Sequence, residues 1–194
     1  MSVVLTSSVP VVSERPTYFS RINGGNAGVV PGGADVIGVQ QLSNDWLFAE
    51  GYTGGRFQES FMLTNLDPAK TAATVTITLE YDTGATKAFT LTVGALSQLV
   101  WNVNAHSSGS GTSQWVSAKI TSSGAQLVVE REMFFGYNHN GDARLTQAMG
   151  GTDVLGLAKG AMSNDYSFAE GYTLNDWASL LSLNFLRPIH LESL

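Results

Sequence analysis

Apolar and polar residues alternate with a period of two along much of the chain. Thr74-Val75-Thr76-Ile77-Thr78-Leu79-Glu80-Tyr81 puts Val75, Ile77, Leu79 and Tyr81 on one face and threonines on the other, the pattern of a half-buried strand. Asp82-Thr83-Gly84 then turns the chain, and a return strand over 87–93 points Phe89, Leu91 and Val93 inward. The same reading predicts strands at 46–50, 57–65, 97–103, 115–121 and 126–135. Asn65-Leu66-Asp67-Pro68, residues 104–112 and Ser122-Ser123-Gly124 supply the turn chemistry between them. No stretch of 11 or more residues carries a helical period. Seven short strands within about 100 residues predict an all-β fold, an immunoglobulin-like antiparallel β-sandwich. Its expected core is Val75, Ile77, Leu79, Phe89, Leu91, Leu99, Trp101, Val116, Ala118 and Ile120, with Thr74, Thr76 and Thr78 in solvent. A one-residue slip would turn that whole set outward.

The alternation is itself repeated. Ser43-Asn44-Asp45-Trp46-Leu47-Phe48-Ala49-Glu50-Gly51-Tyr52-Thr53 returns as Ser163-Asn164-Asp165-Tyr166-Ser167-Phe168-Ala169-Glu170-Gly171-Tyr172-Thr173, identical at nine of eleven positions with an offset of 120 (163 − 43). Residues 33–38 match 151–156 at 118, residues 14–19 match 130–135 at 116, and residues 5–8 match 120–123 at 115. Repetition at a fixed period outranks other fold signals. It divides the chain into terminal strands of a preceding module (1–20), a Gly-rich crossing (21–34), one complete sandwich (35–135), a crossing loop (136–149) and the first strands of an incomplete following module (150–194). The end fragments are complementary parts of one fold. Head-to-tail strand complementation into a filament is therefore expected, the alternative being intramolecular closure around the central module into a compact monomer.

Three of these blocks also carry a family likeness. Trp46-Leu47-Phe48-Ala49-Glu50-Gly51-Tyr52-Thr53, the following Asn65-Leu66-Asp67-Pro68 and Glu14-Arg15-Pro16-Thr17-Tyr18-Phe19 resemble the tandem β-sandwich surface repeats of large secreted proteins of Chloroflexi and actinobacteria, a family of unassigned function. There the pattern reads approximately W-Y/F-F-A-E-G, N-P, E-R-P-M-Y-F and G-G-x-D-V-I-G. The resemblance covers residues 1–183 and departs from the pattern at Glu132, where the family has proline, and after Leu183. It implies an extracellular or cell-surface array and brings no catalytic residues.

Charge narrows the partners. A net charge of −6 with a pI near 4.9 argues against nucleic acid and against an anionic membrane surface, which both need a basic patch. Charged residues make up 13%, about half the usual share, so the surface is rich in Gly, Ser and Thr. With no cysteine, neither a disulfide framework nor thiol chemistry is available. No apolar run approaches the length of a membrane-spanning helix. Met1-Ser2-Val3-Val4-Leu5 lacks the basic flank and cleavage site of a signal peptide, and it aligns with the strand around Ile120.

Glu50 and its counterpart Glu170 are the most tempting chemical residues. The repeat also keeps Glu14-Arg15 and Glu130-Arg131, so the expected role is structural, a Glu–Arg pair such as Glu50–Arg131 satisfying a partly buried charge. Asp35, Asp45, Asp153 and Asp165, with Asn44 and Asn164, are weak calcium candidates. Their spacing fits no calcium loop, and turn formation is the plainer role. His106, His139 and His190 stand apart and offer no zinc set. A Gly-x-Ser-x-Gly elbow is lacking, and the glycine-rich stretches join no strand to a helix, so nucleophilic catalysis and phosphate cradling both lack support. Trp46, Tyr52, Trp115 and Trp177 offer an aromatic platform for sugar rings, against the ordinary core role of aromatics. The threonine-studded face has its plain explanation as a solvated strand. The sequence therefore points to a non-catalytic structural or adhesive repeat segment without a cofactor. Its partners would be neighbouring repeats or other copies, and the alternative is a carbohydrate-binding module of a secreted hydrolase.

Overall fold

The computed structural model describes residues 2–22, 29–55, 57–107, 115–137 and 148–167. Among these residues eleven strands follow in chain order: β1 (Glu14–Ile22), β2 (Val29–Ile37), β3 (Asp45–Phe48), β4 (Phe57–Asn65), β5 (Ala73–Tyr81), β6 (Thr86–Val93), β7 (Gln98–Asn102), β8 (Val116–Ser123), β9 (Leu127–Tyr137), β10 (Ala148–Leu155) and β11 (Leu157–Ala158). Among the described residues the one α-helical element is a single turn, α1 (Asn104–Ser107), inside the stretch expected to be loop. The chain is all-β. Its sheets are antiparallel, one ordered β10-β9-β4-β7 and the other β11-β3-β8-β5-β6, with β1 and β2 forming a separate hairpin.

Alternation builds the sandwich as the sequence predicts. Val75, Ile77, Leu79 and Tyr81 of β5 and Val116, Ala118 and Ile120 of β8 are buried against Phe61 and Leu63 of β4 and Leu127 and Val129 of β9. Phe48 on one sheet meets Phe61 on the other with ring centroids 5.0 Å apart. Strand position refines the expected core. Phe89, Leu91 and Leu99 are only partly buried, because β6 and β7 are the outermost strands of their sheets and have a neighbour on one side only. Thr76 and Thr78 are half-buried and not free in solvent, since β5 is flanked by β6 and β8 and their side chains crowd the outer face.

The β4–β5 connection is held by its own polar side chains. Asn65 Nδ2 donates to the Thr71 carbonyl at 2.8 Å, and the Asp67 carboxylate accepts the amides of Ala69 and Thr71, each at 3.0 Å. Those amides hold the Asp67 carboxyl below the usual carboxylate range.

The flanking segments depart from the expected division. β2 begins at Val29, inside the stretch read as an irregular Gly-rich crossing, because pairing with β1 satisfies its backbone. β9 runs to Tyr137, and β10 starts at Ala148 within the expected crossing loop. β10 pairs with β9 and β11 with β3, so strands expected to open a following module extend the two sheets of this one. A covalent tether gives such pairing a high effective concentration, which favours completion within the chain over donation to another. Residues 2–13 carry no regular structure, and Val3, Val4, Leu5, Val9, Val11 and Val12 are exposed.

The two hairpins share one register. Glu14 faces Ile37 and Phe19 faces Gly32; 116 residues on in the first strand and 118 in the second, Glu130 faces Leu155 and Phe135 faces Gly150. The flanking bond recurs too, with the Gly38 amide on the Ser13 carbonyl at 2.8 Å and the Gly156 amide on the Val129 carbonyl at 3.0 Å. In each hairpin an aromatic ring lies across the glycine opposite it, where a Cβ would fall 2.7 Å from Phe19 at Gly32 and 2.9 Å from Phe135 at Gly150.

The buried and half-buried positions of β7 separate by mutation. Trp101→Ala should cost about 3–5 kcal/mol and Leu99→Ala clearly less, measured by urea unfolding with an unchanged slope. Equal losses would contradict the difference in burial between the two positions.

Candidate functional site

The inward face of β4 reads Phe57, Glu59, Phe61, Leu63, so alternation drives a glutamate into the interior. Glu59 is 1% exposed. Arg131, on the inward face of the neighbouring strand β9, is 4% exposed. Its Nη1 donates to the Glu50 backbone carbonyl, and its Nη2 lies 3.5 Å from Glu50 Oε2. Two carboxylates thus share one guanidinium. Burial pushes the Glu59 carboxyl up to about 7; Arg131 pulls it down, Glu50 pushes it further up, and the Tyr52 amide pulls it down. Glu59 Oε2 and Arg131 Nε are buried without a hydrogen-bond partner among the described residues.

The backbone around this pair is tightly fitted. A Cβ on Gly51 would stand 2.5 and 2.6 Å from the Glu59 carboxylate oxygens and 2.8 Å from the Val116 carbonyl. The Val116 amide donates to the Gly51 carbonyl at 2.9 Å. Asn104, the first residue of α1, donates to the carbonyls of Thr53 and Phe57 at 3.0 and 2.9 Å and accepts the Glu59 amide at 2.8 Å. The segment after β3 is thereby clamped to the start of β4.

At this end of the sandwich an open groove of about 330 Å³ is lined by residues that include Glu50, Gly51, Glu80, Asp82, Trp115 and Ser117. Trp115 is 46% exposed, and its ring lies 4.7 Å from that of Tyr52. Tyr52 in turn meets Phe57 edge-on at 4.9 Å, and Phe57 stacks on Phe135 at 5.7 Å. Tyr81, a wall residue of the groove, has a buried hydroxyl without a partner among the described residues.

A second charged cluster joins the hairpin β1–β2 to the sandwich. Arg15 Nη1 lies 3.0 Å from Glu130 Oε2, and Arg15 Nη2 bonds Asp153 Oδ2. Burial raises the Asp153 carboxyl to about 6; Glu130 and Glu132 add to the rise and Arg15 opposes it. Phe19 meets Phe134 edge-on at 4.9 Å and lies over Gly151, where a Cβ would be 2.6 Å from its ring.

The structure sorts the sequence candidates. It brings Glu50 to Arg131 and Arg15 to Glu130, while Glu14 is exposed. Trp46 is no platform residue: it is 2% exposed, and its Nε1 donates to the carbonyls of Ser43 and Leu127, both at 3.2 Å. The aspartates are not gathered, Asp153 being paired with Arg15, and among the described residues no group of three or more acidic or histidine side chains is placed to hold a metal. Asp45 and Asp165 each take a turn in which the backbone amide binds the hydroxyl two residues back, Ser43 and Ser163, at 3.1 Å. His106 stacks on Trp101 at 4.3 Å. Glu170, Trp177, His139 and His190 lie outside the described residues. Sequence reasoning passed over Glu59, Glu80 and Asp82. Glu59 was marked by its parity with Phe61 and Leu63, whereas the other two gained meaning only when Trp115 was folded beside them.

No family model matches the chain, and no curated protein sequence matches it. Among solved structures the chain is similar to the crystal structure of Thermotoga maritima 1070, with a TM-score of 0.48 and 15% identity over 62% of this chain and 97% of that one. It is also similar to the Anabaena sensory rhodopsin transducer, with a TM-score of 0.40 and 21% identity over 55% of this chain and 92% of that one. Neither likeness carries an argument about fold or activity.

Two outcomes follow from the buried pair. Below pH 4.5 Glu59 holds its proton in both folded and unfolded chains; between 4.5 and about 7 only the folded chain holds it. Stability should therefore fall as pH rises through that window, by about 3 kcal/mol at about 1.4 kcal/mol per pH unit. Glu59→Gln should remove this component from a series of urea melts; an unchanged pH profile would show that Glu59 ionises normally. Gly51→Ala should destabilise by about 1–3 kcal/mol through overpacking. A neutral result in the same melts would mean that the segment after β3 yields freely.

Proposed function

We propose that the chain is a non-catalytic segment of a tandem array of immunoglobulin-like sandwiches, serving as a structural or adhesive element of a bacterial extracellular or cell-surface protein. The observation that carries this reading is the pair of hairpins. Two strand pairs of the same register, 116 to 118 residues apart, stack face to face, with Arg15 gripped by Glu130 and Asp153 and Phe19 seated on Gly151. A guanidinium held by two carboxylates restrains rotation as well as separation, as a load-carrying joint between modules requires. The engagement of Glu50 by Arg131 supports a structural role for that glutamate in place of acid–base chemistry. With β10 and β11 paired within the chain, head-to-tail strand donation would fall to residues 2–13.

A second reading, carbohydrate binding, is favoured by one specific observation. Trp115 is exposed beside the groove that holds Glu50, Glu80 and Asp82, an aromatic face next to hydrogen-bond acceptors.

The array reading is tested by making proteins that repeat residues 14–129 two and four times and measuring them by small-angle X-ray scattering. Stacked modules should form rods whose maximum dimension grows in proportion to the number of repeats. Growth closer to the square root of that number, as for freely jointed beads, would count against a rigid joint.

A further inference from the structure

We propose that the outward face of the β1–β2 hairpin is a docking surface for a partner polypeptide, a strand or hairpin that presents an arginine and, four residues on, a phenylalanine on one face. This surface is an open copy of one that is already occupied within the chain. The inference needs only the two hairpins of a single chain, so it stands or falls apart from the array reading.

The occupied face belongs to β9 and β10. Alternation turns Glu130, Glu132 and Phe134 outward, and the register sets them opposite Leu155, Asp153 and Gly151. Arg15 and Phe19, which share one face of β1, dock there. The guanidinium takes Glu130 and Asp153, and the Phe19 ring fills the seat over Gly151, edge-on to Phe134 at 4.9 Å. The β1–β2 hairpin turns the same set toward solvent, with Glu14 opposite Ile37, Pro16 opposite Asp35 and Tyr18 opposite Gly33. Glu14 and Asp35 thus repeat the two carboxylates that grip Arg15, Tyr18 repeats the ring beside the seat, and Gly33 repeats its floor. Pro16 replaces Glu132, so the open face carries two carboxylates where the occupied one carries three.

The copy stands unfilled. Tyr18 is 86% exposed and Ile37 60%, and Glu14 and Asp35 are exposed with no ion pair among the described residues. A Cβ on Gly151 would meet two rings, Phe19 at 2.6 Å and Phe134 at 2.8 Å; on Gly33 its three nearest atoms belong to Tyr18 and Thr17 of the same hairpin, the closest at 3.3 Å. An exposed tyrosine by itself marks nothing. Here the occupied duplicate specifies the ligand. Two carboxylates on adjacent strands suit the planar fork of a guanidinium better than an ammonium, and the seat beside Tyr18 takes a ring edge-on. Residues four apart on a strand share a face and stand about 13 Å apart, which fixes the spacing. Only Arg15 and Arg131 in this chain have an aromatic residue four positions on. Arg131 is 4% exposed in the sandwich, and Arg15 lies on the opposite side of the hairpin, held by Glu130 and Asp153. A second copy commits its own pairs in the same way, so the occupant is a different polypeptide.

The test is an NMR titration of the full isotope-labelled chain with a head-to-tail cyclised peptide of residues 13–38. In the peptide Glu14→Thr, Tyr18→Thr and Asp35→Thr leave only the Arg15–Phe19 face able to dock, and cyclisation holds the hairpin in its docking form. The Gly38 amide lies 2.8 Å from the Ser13 carbonyl, so the ends are close enough to join. Shifts should concentrate at Tyr18, Gly33 and Asp35 of the chain. Arg15→Lys or Phe19→Ala in the peptide, and Asp35→Asn or Tyr18→Thr in the chain, should each weaken binding about fivefold or more. The melting temperature of the chain variants should stay within a few degrees, since both side chains are exposed. Shifts at Phe134, Gly151 and Asp153 instead would mean that the peptide displaces the chain's own hairpin, and the second surface would fall. It would fall equally if no shifts appeared, or if the Phe19→Ala peptide bound as tightly, which would leave plain charge attraction. Sedimentation of the chain alone should show a monomer; self-association abolished by Tyr18→Thr would give the face to a second copy and overturn the separate partner.

Discussion

A guanidinium almost without access to water organises one end of this protein. Burying Arg131 has a cost of several kcal/mol unless its charge is matched and its donors are used. Glu50 meets that demand with both its backbone carbonyl and its carboxylate, and Glu59 adds a second carboxylate from the adjacent strand. The consequences run along the chain. Holding Glu50 places Gly51 against the Glu59 carboxylate, Gly51 receives the Val116 amide, and Val116 brings Trp115 to the rim. Asn104 closes the same loop from the side of α1. The groove is thus a by-product of satisfying a buried charge.

One guanidinium cannot fully neutralise two carboxylates in a dry interior. The deeper carboxylate, Glu59, accordingly holds its proton to about pH 7, while the half-exposed Glu50 forms the ion pair. The division follows solvent access. Glu50 keeps part of its hydration, whereas Glu59 has only the Tyr52 amide and Arg131 to offset desolvation.

The two hairpins show how far one sequence pattern can be put to different uses. Arg131 points into the core of its own sandwich; its counterpart Arg15 points onto the outer face of the next hairpin and finds Glu130 and Asp153 there. Phe134 is buried because Phe19 covers it, while its counterpart Tyr18 is 86% exposed. The paired glycines Gly32 and Gly150 do the same work in both copies, giving an aromatic ring room to lie across the strand opposite. Register is a local property and repeats; burial depends on what is stacked outside, and does not.

Residue order alone determined the strands and their facing. Alternation is dictated by strand geometry, so Val75, Ile77, Leu79, Val116, Ala118 and Ile120 are buried as their spacing requires, and the repeated blocks at 14–19 and 130–135 fall on strands of equal register, although their pairing into hairpins was not read from the sequence. The tertiary structure alone decided which strands lie at the edges, leaving Phe89, Leu91 and Leu99 half-covered. It also assigned β10 and β11 to the sheets of the central sandwich, sent Trp46 inward and Trp115 outward, and set Glu80 and Asp82 beside that ring. These outcomes depend on pairings between residues tens of positions apart. Periodicity records only what a residue shares with its near neighbours in the chain, so it is silent about which distant strand will arrive to cover it.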